Sequence, residues 1–236
     1  MENRIFNPYP NEGAKVFAKY NLGDVVVLRS FATHCLRVGG EFHFKESAPI
    51  NVSPFMMIVR ADRNEKEHRT DDRQSQDFVR YRCMWYDPNK GEFQEEVFFE
   101  SLLFRIISYQ NLKLHTSLVE HEKLLYGKTC IFRTREFEMR KVFPENQRFN
   151  RFREVVNFIP PDLIVAGFKI AKDIGEDKKY SEDIIFYDKN NNVIRYDEKN
   201  RIICEWYSTS QGKFLKKDFI PQVLSFANIM TNFVEG

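Results

Sequence analysis

Side chains able to bind a ligand are densest between residues 133 and 153. Arg133, Arg135, Arg140, Lys141, Arg148, Arg151 and Arg153 are interleaved there with Phe137, Phe143, Phe149 and Phe152. Guanidinium groups contact phosphates and aromatic faces stack on unpaired bases. The pattern is therefore a candidate nucleic-acid surface, with Arg133, Arg135, Arg140, Lys141, Arg148, Phe149, Arg151, Phe152 and Arg153 as its binding residues. The plainer alternative has the phenylalanines pinning a loop to the core while arginine stems cover apolar surface. A second constellation is a charge reversal. Glu92, Glu95 and Glu96 recur 121 residues later as Lys213, Lys216 and Lys217. Arms of opposite sign can face each other within the chain or across a dimer, or each can meet a different partner. Exposed pairs contribute only about 0–1 kcal/mol, so their effect falls on orientation and selectivity.

Enzymatic patterns are missing. Gly39-Gly40 lacks the Lys-Ser/Thr that would hold phosphate and magnesium. His115 and His121 do not have zinc-ligand spacing on a helix. Asp71-Asp72 and Glu95-Glu96 become dyads only if a cleft gathers them. Cys83 and Cys204 each precede a tryptophan by two positions, which buries them beside it, where a thiol stays protonated and inert. No catalytic residue, metal site or cofactor is expected, and the chain reads as a non-enzyme.

The elements that position these groups follow from an internal repeat. Cys83-Met84-Trp85-Tyr86 recurs as Cys204-Glu205-Trp206-Tyr207 around the two tryptophans of the chain. At the same offset, Gly91-Glu92-Phe93 matches Gly212-Lys213-Phe214, Phe98 matches Phe219, and Leu103 matches Leu224. Upstream, Gly23 to Ser30 matches Gly127 to Thr134, and Pro54 to Ile58 matches Pro161 to Val165. Each block reads as a strand, and period-two alternation turns Cys and Trp inward and Tyr86 and Tyr207 outward. The two tyrosines are candidate platforms for a partner or packing groups against the neighbouring copy, the second reading being preferred. Asp87 to Gly91 and Ser208 to Gly212 are turns by composition, so a hairpin follows each tryptophan.

The order G-D-x-V-x-L-x-S, then P-x-M-x-V, C-x-W-Y and a closing F with a terminal L resembles the YodC-like family of short bacterial proteins of unknown function. In the first copy it is carried by Gly23, Asp24, Val26, Leu28, Ser30, Pro54, Met56, Ile58, Cys83, Trp85, Tyr86, Phe98 and Leu103. The second copy departs at Lys128, Thr134 and Leu163, and both copies replace the expected G-G by inserts, residues 31–53 and 135–160. The resemblance implies a compact barrel of the SH3-like or KOW-like kind.

The expected fold is mainly β: two tandem SH3-like small barrels with long inserted loops, a short linking helix and a C-terminal helix. Residues 1–18 form an N-terminal extension, 19–109 the first repeat, 110–126 a helical linker and 127–224 the second repeat with an inserted hairpin. The linker opens on the capping box Ser117 to Glu120. Val223, Leu224, Ala227, Met230 and Val234 recur at helical spacing, which predicts a helix over 225–236. The inserted hairpin is expected from strands at 183–187 and 192–196. In 60–77 the charges alternate in sign without an aromatic residue, the pattern of a solvated loop. With 36 basic and 34 acidic residues the chain has no global pull toward nucleic acid or membrane. It carries no secretory leader pattern and no uncharged apolar run of spanning length. Four widely separated cysteines fit free thiols in the cytoplasm.

These features favour an adaptor that holds a protein partner, two weak contacts on one chain adding avidity. A nucleic-acid-binding protein using residues 133–153 is the alternative. A small-molecule-sequestering protein or hydrolase with a site between the repeats is the third.

Overall fold

The computed structural model describes residues 16–44, 52–63, 79–108, 124–142, 158–169, 186–187, 193–194 and 198–226. In chain order the strands are β1 (Val16–Phe17), β2 (Val25–Leu28), β3 (Cys35–Val38), β4 (Glu41–Phe44), β5 (Met56–Arg63), β6 (Val79–Asp87), β7 (Glu92–Phe99), β8 (Leu103–Ile107), β9 (Thr129–Phe132), β10 (Lys141–Val142), β11 (Asp162–Lys169), β12 (Phe186–Tyr187), β13 (Val193–Ile194), β14 (Arg201–Ser208), β15 (Lys213–Phe219) and β16 (Leu224–Ser225). Two short helices, α1 (Arg29–His34) and α2 (Arg135–Met139), complete the regular structure described. The protein is mainly β.

Two five-stranded antiparallel sheets dominate, with orders β7-β6-β5-β2-β8 and β15-β14-β11-β9-β16. The strands correspond one to one. A single 3-10 turn, Glu100–Leu102 or Pro221–Val223, precedes the last strand of each. A register shift falls between Ile58 and Arg60 in β5 and between Val165 and Gly167 in β11, at matched positions. Even the entry turns agree: Gly23 N donates to Ile58 O at 2.8 Å and Gly127 N to Val165 O at 2.9 Å. Both glycines hold positive φ, 82° and 74°, which a side chain would strain. Among the described residues neither sheet closes on itself, since β7 and β8 are the edges of one and β15 and β16 of the other.

The strands form where valine, isoleucine and aromatic residues alternate with polar ones. In β14, Ile202, Cys204, Trp206 and Ser208 are buried while the residues between them are not. In β6, Val79, Tyr81 and Cys83 are buried on the corresponding face, but Trp85 is only half-buried, with Met84 and Tyr86 buried on the other face. The two tryptophans therefore occupy equivalent strands but unequal surroundings, a departure from their expected equal inward burial.

The inserts are not plain loops. After β2 the first holds α1 and the β3–β4 hairpin; after β9 the second holds α2 and β10. They meet: β10 pairs in parallel with β4, Lys141 opposite Phe42 and Val142 opposite His43. A second small sheet joins β1 to β12 and β12 to β13, Phe186 and Tyr187 pairing with Ile194 and Val193 in the inserted hairpin of the second repeat. At the C-terminal end the helix expected over 225–236 lies outside the described residues except at Ser225 and Phe226. Leu224 and Ser225 form β16, paired with Phe132 and Ile131, because β9 offers an open edge there. Residues 227–236, the capping box at 117–120, most of the charged loop at 60–77 and the N-terminal residues 1–15 lie outside the described residues. No helix among the described residues is long and apolar enough to cross a membrane.

Candidate protein-binding face

One core runs through both sheets. It is continuous because the β6–β7 hairpin of the first sheet unit lies over the inner face of the second. Phe93, 4% exposed, places its ring 5.0 Å from Phe132, 5.2 Å from Trp206 and 4.9 Å from Phe219. Edge-to-face packing of this kind adds about 0.5–1.5 kcal/mol per pair beyond area burial. The turn is held by donors from the second unit: Trp206 Nε1 donates to Gly91 O at 3.1 Å and Gln211 Nε2 to Lys90 O at 2.6 Å. Gly91 has φ +67°, and a Cβ there would meet Ser208 Oγ at 1.9 Å. Glycine is required at Gly91 by conformation and by space.

The inverted charges meet at this junction, one position out of strict correspondence. Lys217 Nζ sits 2.9 Å from Glu95 Oε1 and donates to Phe93 O at 3.4 Å. Glu95 also lies 3.8 Å from Arg82, and Lys216 pairs instead with Glu205 of its own sheet at 2.6 Å. Glu92 accepts from Gln94 within its own strand. Glu96 is exposed, as is Lys213 at the start of β15.

Tyr86 is buried, 7% exposed, although it points away from its own sheet. The second unit covers that side, and Tyr86 packs edge-on against Phe93, its cross-strand partner, at 5.2 Å and 60°. Its matched residue has the opposite fate. Tyr207 pairs across the strands with Phe214, the rings again 5.2 Å apart at 66°, yet the two are 49% and 76% exposed. Ile164 on β11 is exposed on the same face, opposite Glu205, and the Glu205–Lys216 pair lies between it and the aromatic rings. Three large apolar side chains, Ile164, Tyr207 and Phe214, thus stand exposed on this face beside the Glu205–Lys216 ion pair.

Among the described residues, the basic side chains of the second insert are dispersed. Arg133 Nε donates to Leu224 O at 2.9 Å, tying β9 to the last strand. Arg135 pairs with Asp162, and exposed Arg140 lies 4.0 Å from Glu136. Lys141 is withdrawn from solvent: its side chain is 2% exposed and its Nζ is 2.5 Å from Glu138 Oε2, itself 0% exposed. Glu138 Oε1 accepts from Phe55 N at 2.8 Å, and the Lys141 ammonium lies 4.9 Å from the Phe55 ring centroid, 5.9 Å from Phe31 and 5.4 Å from Phe158. Burial pushes the Glu138 carboxyl up and the Lys141 ammonium down, while each pulls the other back toward its charged form. Lys141 is thus closed to a phosphate and clamps the second insert onto the first unit. Arg148, Phe149, Arg151, Phe152 and Arg153 lie outside the described residues.

The four cysteines are free and buried. Burial pushes Cys35 up to about 11 and raises Cys83 well above the usual thiol range. Cys204 is raised by its hydrogen bond with Cys130, the sulfurs 3.8 Å apart, and by burial. Cys35, Cys83 and Cys204 therefore stay protonated at neutral pH, which removes their nucleophilicity. Among the described residues, no three His, Cys, Asp or Glu side chains are grouped to hold a metal ion.

Two features escaped the sequence reading. Phe214 was legible only as the return of a hairpin; its position across from Tyr207 was the available signal for an exposed aromatic pair. Glu138 stands within the basic stretch without belonging to its pattern. Its spacing of three from Lys141, between Phe137 and Val142, was the only hint of burial. No family model, curated protein or solved structure matches the chain, so its own geometry carries the functional reading.

Proposed function

We propose that the chain is a non-enzymatic binding protein, built from two tandem SH3-like units and holding a protein partner. The repeated strand order, the 3-10 turn before each last strand and the matched entry turns support that architecture. The resemblance to YodC-like proteins is consistent with it. One observation carries the binding role: the Tyr207–Phe214 pair with Ile164 stands open on a sheet face whose counterpart in the first unit is a protein contact. Large aromatic side chains concentrate contact energy at protein interfaces.

The test is affinity purification of the tagged chain from its own host, with and without nuclease. A discrete protein retained in stoichiometric amount after nuclease treatment supports the reading. Loss of all bound material on nuclease treatment, with affinity falling steeply as salt rises, refutes it in favour of nucleic acid.

A further inference from the structure

We infer that the chain assembles with copies of itself head to tail, the β14–β15 hairpin of one copy docking on the Trp85 face of the next copy's first unit. This rests on the binding role proposed above and names the partner. The contact would continue the junction already present inside each chain, which has two halves. The first unit inserts, through Tyr86 and Phe93 and through the entry turn at Gly23, where a Cβ would meet Gln222 at 2.8 Å. The second unit receives, through Phe132, Trp206 and Phe219 and the 3-10 turn that carries Gln222. Each unit also carries the half that the junction leaves unused, and that half is open. Tyr207 and Phe214 repeat the register and spacing of Tyr86 and Phe93 but are exposed. A Cβ at Gly127 or Gly212 would meet nothing within 4 Å, whereas at Gly23 or Gly91 it would strike the second unit. On the receiving side, Trp85 and Phe98 are half-buried where Trp206 and Phe219 are enclosed. Leu102 is 49% exposed where its counterpart Val223 is 0%.

The repeat selects the occupant. Leu28, Trp85 and Phe98 stand in the first unit where Phe132, Trp206 and Phe219 stand in the second. Trp85 Nε1 would donate to Gly212 O as Trp206 Nε1 does to Gly91 O. The junction pairs Glu95 of the inserting half with Lys217 of the receiving half. Their counterparts are Lys216 and Glu96, so the pair survives with its sign reversed. The register puts both where they are needed. Lys216 lies opposite Glu205 on the Phe214 face, and Glu96 lies opposite Cys83 on the Trp85 face and is exposed. Lys216 keeps Glu205 beside it, as Glu95 keeps Arg82 beside it in the junction. Docking of like units is rejected: two first units would set Glu95 against Glu96, and two second units Lys216 against Lys217. Inserter and receiver are different surfaces, so the contact is heterologous, and copies carrying one of each join into a ring or an open row.

The test is analytical ultracentrifugation of the full chain and two surface variants. Phe214→Asp spoils the inserting half and Leu102→Asp the receiving half; both side chains are exposed, so the unfolding midpoint stays that of the parent. The parent associates as its concentration rises, and each variant alone associates at least about tenfold more weakly. Mixed in equal amounts, the two variants form a 1:1 dimer and stop there, because one intact inserter meets one intact receiver and the other halves are spoiled. Lys216→Glu also weakens association, and adding Glu96→Lys to the same chain restores it. A mixture that associates no better than its components overturns the inference, as does association indifferent to both variants. A dimer kept by Leu102→Asp but lost in Phe214→Asp pairs the hairpin with its own copy and overturns the head-to-tail contact. So does a parent that stays monomeric up to ~1 mM. If that monomer still retains a nuclease-resistant host protein, self-association falls and the binding role stands; if it retains none, both fall.

Discussion

Replacing Lys141 by methionine leaves the Glu138 carboxylate buried without its cation. Methionine keeps most of the volume against Phe31 and Phe55, so the change is electrostatic more than steric. Removing one member of a buried ion pair costs about 3–5 kcal/mol, because the remaining charge loses its compensation inside a low-dielectric site. In a chain of this size that lowers Tm by roughly 6–20 °C. Glu138→Gln strands the ammonium and acts in the same direction. The double variant removes both charges and keeps an acceptor for Phe55 N, so its loss falls short of the summed single losses by at least about 2 kcal/mol. The pH dependence has a definite sign. Burial already raises Glu138, and without the Lys141 charge pulling it down it rises further. An acid raised on folding contributes stability that is full below its unfolded value of about 4.3 and is lost as pH rises through the folded value. The deficit of Lys141→Met relative to the parent is therefore largest at neutral pH and shrinks on acidification toward about pH 5. Urea unfolding of the four proteins at both pH values measures this. Single effects that add to within about 0.5 kcal/mol, or a deficit flat with pH, would refute the assignment of a buried charged pair.

Matched substitutions in the two hairpins are expected to differ sharply. Phe93→Ala costs about 3–5 kcal/mol in denaturant unfolding, whereas Phe214→Ala stays within about 0.5 kcal/mol, since one ring is enclosed and the other is open. Gly91→Ala and Gly212→Ala both meet the left-handed backbone penalty of about 1–2 kcal/mol, but Gly91→Ala also drives a methyl into Ser208 and is the more destabilising by thermal melt. Exchanging the charges as Glu95→Lys with Lys217→Glu restores what either single reversal loses. A double-mutant cycle gives a coupling below about 1 kcal/mol, as befits a partly exposed pair.

Much of this fold was written locally. Alternation around Cys204 and Trp206 placed β14 with its buried face correct, and the constant offset from Gly91 to Gly212 located both turns. The charge reversal at Glu95 and Lys217 marked residues that do meet. What stayed hidden depends on which unit covers which face, a question that period-two patterning within one strand cannot answer. Tyr86 and Tyr207 each close a Cys-x-Trp-Tyr block, yet one is buried and the other exposed. Trp85 and Trp206 likewise differ because the first unit's hairpin lies over Trp206, and no described element stands in that relation to Trp85. Lys141 stands in sequence among the candidate nucleic-acid contacts, and its burial is invisible there because it comes from Phe31 and Phe55, residues far away along the chain.

That asymmetry governs how the chain unfolds. The second sheet's inner face is closed by Phe93, a residue of the first unit, and the first unit's Phe55 is engaged by Glu138 and Lys141 of the second. Neither unit completes its core alone, since each would expose aromatic rings that the other covers. The first has filling of its own besides: Tyr20 packs on Tyr81 at 5.2 Å and donates to Leu103 O at 2.7 Å. The reciprocal contacts nonetheless tie its loss to that of the second unit. The described sheets should therefore melt in one cooperative transition, with calorimetric and van't Hoff enthalpies equal. Two separated transitions, or an excised second unit that retains a cooperative melt, would mean that Phe93 and the Glu138–Lys141 clamp are superficial contacts between independently stable parts.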